Sequence, residues 1–83
     1  MFNGSVTVFR ITVADNEDVS EGLERHASYS AARYSAVRSA VNIMLSKPTK
    51  LFTRVATCEV RNETTGAATM FDVNLTVGSD RTH

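Results

Sequence analysis

The sequence predicts an α+β domain with element order β-α-β-β, in which a three-stranded antiparallel sheet of strand order 1-3-2 carries one long helix packed on one face. Three observations predict it. Segments rich in Val, Thr, Ile and Phe alternate over 5–14, 51–61 and 67–77, which is the period of a strand. Between the first two, apolar residues recur at helical spacing. The charges are also sorted: Asp15, Glu17, Asp18, Glu21 and Glu24 precede a stretch dominated by Arg25, Arg33, Arg38, Lys47, Lys50, Arg54 and Arg61. A helix macrodipole favours that order, with acids at its start and bases at its end.

The first strand, 5–14, changes phase along its length. Val6 and Val8 share one face, and Phe9, Ile11 and Val13 the other. A helix is then expected from Asp18 to Lys47, opened by a capping pair of Asp18 and Glu21 and closed by Pro48, which disfavours helical geometry in the residue before it. Its sheet-facing stripe is expected to be Leu23, Ala27, Tyr34, Val37, Val41, Met44 and Leu45. The small side formed by Ala32, Ala36, Ala40 and Ile43 is expected to stay outside, open to a second protein.

Strands at 51–61 and 67–77 form a hairpin through Asn62-Glu63-Thr64-Thr65-Gly66, in which Gly66 supplies a positive φ. Regular alternation places Thr69, Phe71, Val73, Leu75 and Val77 on the buried face of the last strand. That regularity suits a central position between the other two strands. The opposite sheet face, with Val6, Val8, Arg10, Val55, Thr57, Met70, Asp72 and Asn74, has no second helix to cover it.

Eighty-three residues make one compact domain, 1–83, with a flexible tail at 78–83. A net charge of zero provides no global attraction to nucleic acid or an anionic membrane. Cys58 is the only cysteine, so no intramolecular disulfide forms. With no basic leader before an apolar run, a cytoplasmic location is expected.

No catalytic constellation is legible. Cys58 falls mid-strand and His26 on a helix flank, without a third group to orient the imidazole. His26 has no metal-binding partner at i+4, and the clustered acids lack the glycine and alternating ligands of a calcium loop. The chain therefore reads as non-enzymatic, with no cofactor and no metal. Five acids exceed what a helix start needs, so Asp15, Glu17, Asp18, Glu21 and Glu24 are the candidate protein-binding residues, with Asp72 on the open sheet face. The alternative is a small RNA-binding module in which Arg25, Tyr29 and Arg33, as i+4 neighbours, join the basic helix end.

In size and build, as a cysteine-poor domain of β-α-β-β order with an acidic patch, the chain resembles the small phage-encoded inhibitors of bacterial defence, and among them the anti-CRISPR proteins. That resemblance implies a protein inhibitor that blocks a CRISPR-Cas effector complex inside the bacterial host cell by occupying one of its binding surfaces. It implies a subunit of such a complex as the partner, without direct nucleic-acid or membrane contact. A homodimer is compatible with either the open sheet face or the alanine side of the helix.

Overall fold

A computed structural model describes residues 6–46 and 53–78. The chain folds as β1 (Thr7–Ala14), β2 (Val19–His26), α1 (Tyr29–Ser46), β3 (Thr53–Asn62) and β4 (Ala68–Thr76). All pairings are antiparallel, and the sheet order is β2-β1-β3-β4. The molecule is two hairpins joined along the β1–β3 seam, with α1 across one face.

The α+β class stands, but the expected β-α-β-β order with sheet order 1-3-2 does not. Four strands form the sheet, β1 pairs directly with β3, and β4 lies at an edge rather than in the centre. The error has one origin. Residues 19–26 form a strand, whereas the charge gradient pointed to a helix. Only Val19 and Leu23 are apolar there, four residues apart, so no alternation of apolar and polar side chains marks the strand and the helical reading goes unopposed.

Local chemistry at the turn decides the outcome. Asp15 Oδ1 accepts hydrogen bonds from the amides of both Glu17 and Asp18 at 2.8 Å, and the Asp15 amide donates to the Asp18 carbonyl at 2.9 Å. Asp15, three residues before the expected helix start at Asp18, thereby closes a hairpin, as Asp does by bonding the backbone two residues on. The helix starts ten residues later. Ser28 Oγ accepts from the Ala31 amide at 3.1 Å and is the N-cap in place of Asp18. Lys47, Pro48 and Lys50, expected at the far helix end, lie outside the described residues, as do 79–83 of the expected tail.

The second hairpin forms as its sequence predicts. Gly66 has φ +79°, and its amide donates to the Asn62 carbonyl at 2.7 Å. Asn62 Oδ1 accepts from the amides of Thr64 and Thr65. Strand phase is also as expected: Phe9, Ile11 and Val13 are buried beneath the helix, and Phe71, Val73 and Leu75 pack against the same core.

The helix is rotated relative to the expected stripe. Ala32, Ala36, Ala40 and Met44 are its buried residues, packed on Ala56, Cys58 and Val60 of β3 and on the apolar face of β1. Tyr34 and Leu45, expected in the core, are 66% and 63% exposed, and Leu23 is exposed on β2. The alanine row, at i, i+4 and i+8, presents a smooth strip on which the sheet can approach closely. Bulky residues in that strip would hold the helix away from β1 and β3.

This orientation sets opposite outcomes for two substitutions. Ala36→Leu forces a large side chain into a fully buried site and is expected to destabilise the fold by about 1–3 kcal/mol or more. Leu45→Ala, in the stripe that reads as core, is expected to change stability by no more than about 0.5 kcal/mol, as at an ordinary surface position. Urea denaturation of the two variants measures both; similar losses would place Leu45 back in the core.

Candidate binding surface

The hairpin acids do not form a knob at a helix start. They are distributed over two faces of β2 and its turn. The Asp15 carboxylate is only 3% exposed; besides capping the turn, its Oδ2 lies 3.7 Å from Arg54 Nη2, and Arg54 Nη1 donates to the Met44 carbonyl at 3.1 Å. Arg54 thereby ties the β1–β2 turn to the last turn of α1, where free carbonyls favour a cation.

Glu21 and Glu24 face opposite ways. On the open sheet face, Arg10 Nη1 donates to Glu21 at 3.0 Å, while its Nε and Nη2 grip the carboxylate of Glu63 at 3.1 and 3.3 Å. Glu63 first and Glu21 second push the Arg10 guanidinium above its already high pKa. On the helix face, Glu24 Oε1 accepts from Ser35 Oγ at 2.6 Å and meets His26 Nε2 at 2.7 Å. The Ser35 hydrogen bond, then that of His26, lowers the Glu24 pKa from the usual carboxylate range. Glu17 and Asp18 are exposed at the turn. Asp72 accepts from Thr57 Oγ1 at 3.1 Å across the β3–β4 pair.

The open sheet face is thus polar at its centre, where Arg61 also bonds Glu59 at 2.7 Å. Exposed Val19 and Leu23 lie on its β2 side, with Val55 and Met70 on β3 and β4. Interfaces favour the reverse plan, an apolar centre with a polar rim. The residues grouped for RNA binding are also separated. Arg25 projects from β2 on the open face, Tyr29 stands at the start of α1, and the Arg33 guanidinium lies 4.5 Å from the Phe71 ring centroid.

Beside Tyr29 a cavity of about 360 Å³ opens at the helix N-terminus, lined by Thr7, Phe9, Ser28, Asn62 and Thr69 among others. Its lining offers hydroxyls and one amide, without a carboxylate, imidazole or thiol. Among the described residues no three His, Cys, Asp or Glu side chains gather as a metal site would require. Cys58 is fully buried; its Sγ lies 3.8 Å from the Ala36 carbonyl, and burial first, with Asp72 adding to it, raises the thiol pKa. No described helix is long and apolar enough to cross a membrane.

The outward side of α1 is the surface with an interface pattern. Tyr34, Val37, Val41 and Leu45 follow one another at spacings of three and four, giving an apolar ridge about 16 Å long at 1.5 Å per residue. Tyr34 and Leu45 are exposed, while Val37 and Val41 are half-buried between them. The Arg38 guanidinium sits 5.9 Å from the Tyr34 ring centroid. Arg33 and Arg38 are the only charged residues of α1; Arg38 lies beside the ridge, while the Arg33 guanidinium turns toward Phe71 on the sheet. Sequence periodicity finds these residues but assigns them to the core; the competing alanine row was the signal that they face outward.

Comparison with protein-family models, with curated proteins and with solved structures finds no match to this chain.

Two substitutions separate structural acids from surface acids. Asp15→Ala removes the turn cap and a partner of the mostly buried Arg54, and is expected to cost about 2–4 kcal/mol, whereas Glu17→Ala, at an exposed turn position, should cost no more than about 1 kcal/mol. Denaturant titration reads both. The Glu24 carboxylate has a lower pKa folded than unfolded, so its contribution is present above the unfolded carboxylate range and is lost as pH falls through that range toward the folded value. The stability gap between the native protein and Glu24→Gln should therefore narrow from pH 7 to about pH 3. A gap independent of pH would remove the Ser35 and His26 contacts as its cause.

Proposed function

We propose that this chain is a non-enzymatic protein-binding module that acts as an inhibitor, occupying a surface of a larger protein assembly with the outward ridge of α1. The supporting observation is that a helix already packed through its alanines exposes a second apolar stripe with the residue sizes and spacing of a helix-packing seam. Arg38 beside Tyr34 points to the partner's chemistry: an apolar groove with a carboxylate on its rim, in which Tyr34 and Leu45 are the anchors. The hairpin acids are a secondary contact in this reading, because Asp15, Glu21 and Glu24 already have partners within the chain. A subunit of a bacterial CRISPR-Cas effector complex, met in the cytoplasm, is the partner class that the chain's small single-domain build brings forward.

Purified effector complexes and a nuclease-treated bacterial lysate provide the test, with Tyr34→Ser/Leu45→Ser compared against Glu17→Lys/Glu24→Lys. The ridge variant is expected to keep its fold and lose at least about 2 kcal/mol of binding, as hot-spot truncations do, while the acid variant loses less. Capture that survives in the ridge variant, or that disappears on nuclease treatment, overturns the proposal.

A further inference from the structure

The two edges of the sheet differ in how they are protected. Of the eight residues of β2, Glu21, Glu24, Arg25 and His26 are ionisable and Gly22 weakens the strand, features by which proteins discourage strand addition. The nine residues of β4 include one ionisable side chain, Asp72, which is held inward by Thr57 on β3. The β4 register runs without a bulge from Thr53↔Thr76 to Arg61↔Ala68, and the strand contains no proline. Among the described residues nothing pairs with its outer side. A long, regular edge of this kind, with a single charge, is a template for another strand.

The backbone groups available there follow from the ladder. The Asn62 amide donates to the Ala67 carbonyl, and antiparallel pairs alternate, so Thr69, Phe71, Val73 and Leu75 bond toward β3. Ala68, Met70, Asp72, Asn74 and Thr76 turn their N–H and C=O groups outward.

We infer that the outer edge of β4 pairs antiparallel with β4 of a second copy of this chain, about a two-fold axis at Val73, to form one continuous eight-stranded sheet. The strand is self-complementary in that register. Outward-bonding residues meet one another, Asp72 opposite Asn74 and Met70 opposite Thr76 of the second copy. On the helix side, Val73 meets Val73 and Phe71 meets Leu75, extending the row that packs only partly against each core. A register centred on Asp72 sets two carboxylates face to face, and one centred on Phe71 sets Val73 opposite Thr69 and Leu75 opposite Ala67, which lies before the strand begins. A two-fold axis normal to the sheet keeps both helices on the same face, so the ridge of α1 remains accessible and the two surfaces are independent.

Sedimentation of the full chain from low to several hundred micromolar tests the pairing, together with residue-level hydrogen exchange. The expected result is a monomer–dimer equilibrium in which the amides of Met70, Asp72, Asn74 and Thr76 become protected as concentration rises. Asn74→Pro removes an outward N–H that bonds nothing among the described residues of its own copy, so it should give a folded monomer. Asn74→Asp places a carboxylate opposite Asp72 at two symmetric points and should weaken the dimer about tenfold at low salt, less at high salt. It decides the matter if the proline variant does not fold. A wild-type chain that remains monomeric throughout, or a dimer that neither substitution weakens, overturns the inference. Tyr34→Ser/Leu45→Ser should leave the dimer mass unchanged; its loss in that variant would assign the association to the helix ridge instead.

Discussion

The closeness of the helix to the sheet governs most of what this structure does. Ala32, Ala36 and Ala40 present only methyl groups to β1 and β3, and the approach is near enough for the Cys58 thiol to reach the Ala36 carbonyl at 3.8 Å. A helix is about 10 Å across, the width of roughly two strands at 4.8 Å spacing, so one seated this low covers the central pair and little beyond. The outer strands are accordingly less covered: β2 is exposed along most of its length, and Phe71, Val73 and Leu75 on β4 are only half-buried. Apart from Met44 in the last turn and Ile43 at the flank, the bulky residues of α1 occupy the far side. Exposed ridge and bare edges share a single steric cause.

Electrostatics then fixes the ends of the assembly. Asp15, Arg54 and the Met44 carbonyl connect the β1–β2 turn, β3 and the end of α1 in one mostly buried group. At the opposite end of the helix, Ser28 caps the first turn without an acid. The sheet's open face carries its charges in pairs: Arg10 with Glu21 across the β1–β2 hairpin and with Glu63 of the β3–β4 turn, and Arg61 with Glu59 along β3. Exposed pairs of this kind contribute little to stability. Their effect is to leave that face a solvated surface rather than an apolar one.

Much of this architecture was legible in the sequence wherever one period stood alone. The alternation of β1, β3 and β4, the buried phase of Phe71, Val73 and Leu75, and the Gly66 turn follow from local rules and are seen in the structure. The failures occur where a pattern is missing or two overlap. Residues 19–26 carry the acids of a helix start and no apolar alternation, and the turn made by the Asp15 carboxylate turns them into a strand all the same. Within α1, a stripe of large apolar residues and a row of alanines compete, and close packing on a flat sheet selects the smaller set. Hydrophobicity ranks the stripe first; geometry ranks it second. The candidate acids suffered the same substitution of context: read on one helix they form a patch, but on a hairpin alternate residues face opposite ways.

The hairpin-plus-hairpin layout also has a kinetic meaning. β1 with β2 and β3 with β4 are neighbours in the chain, joined by turns of a few residues, and such units form in about 1–10 μs. The β1–β3 seam is different: Arg10 and Glu63, which meet across it, are 53 residues apart. Closing that span costs chain entropy before any seam contact is gained. The helix stands between the two hairpins in the chain and, once formed, shortens the span to be closed, since its 18 residues rise only about 1.5 Å each. The low-lying alanine face thus becomes a docking platform for two preformed halves, and the slow event in folding is their meeting rather than the making of either.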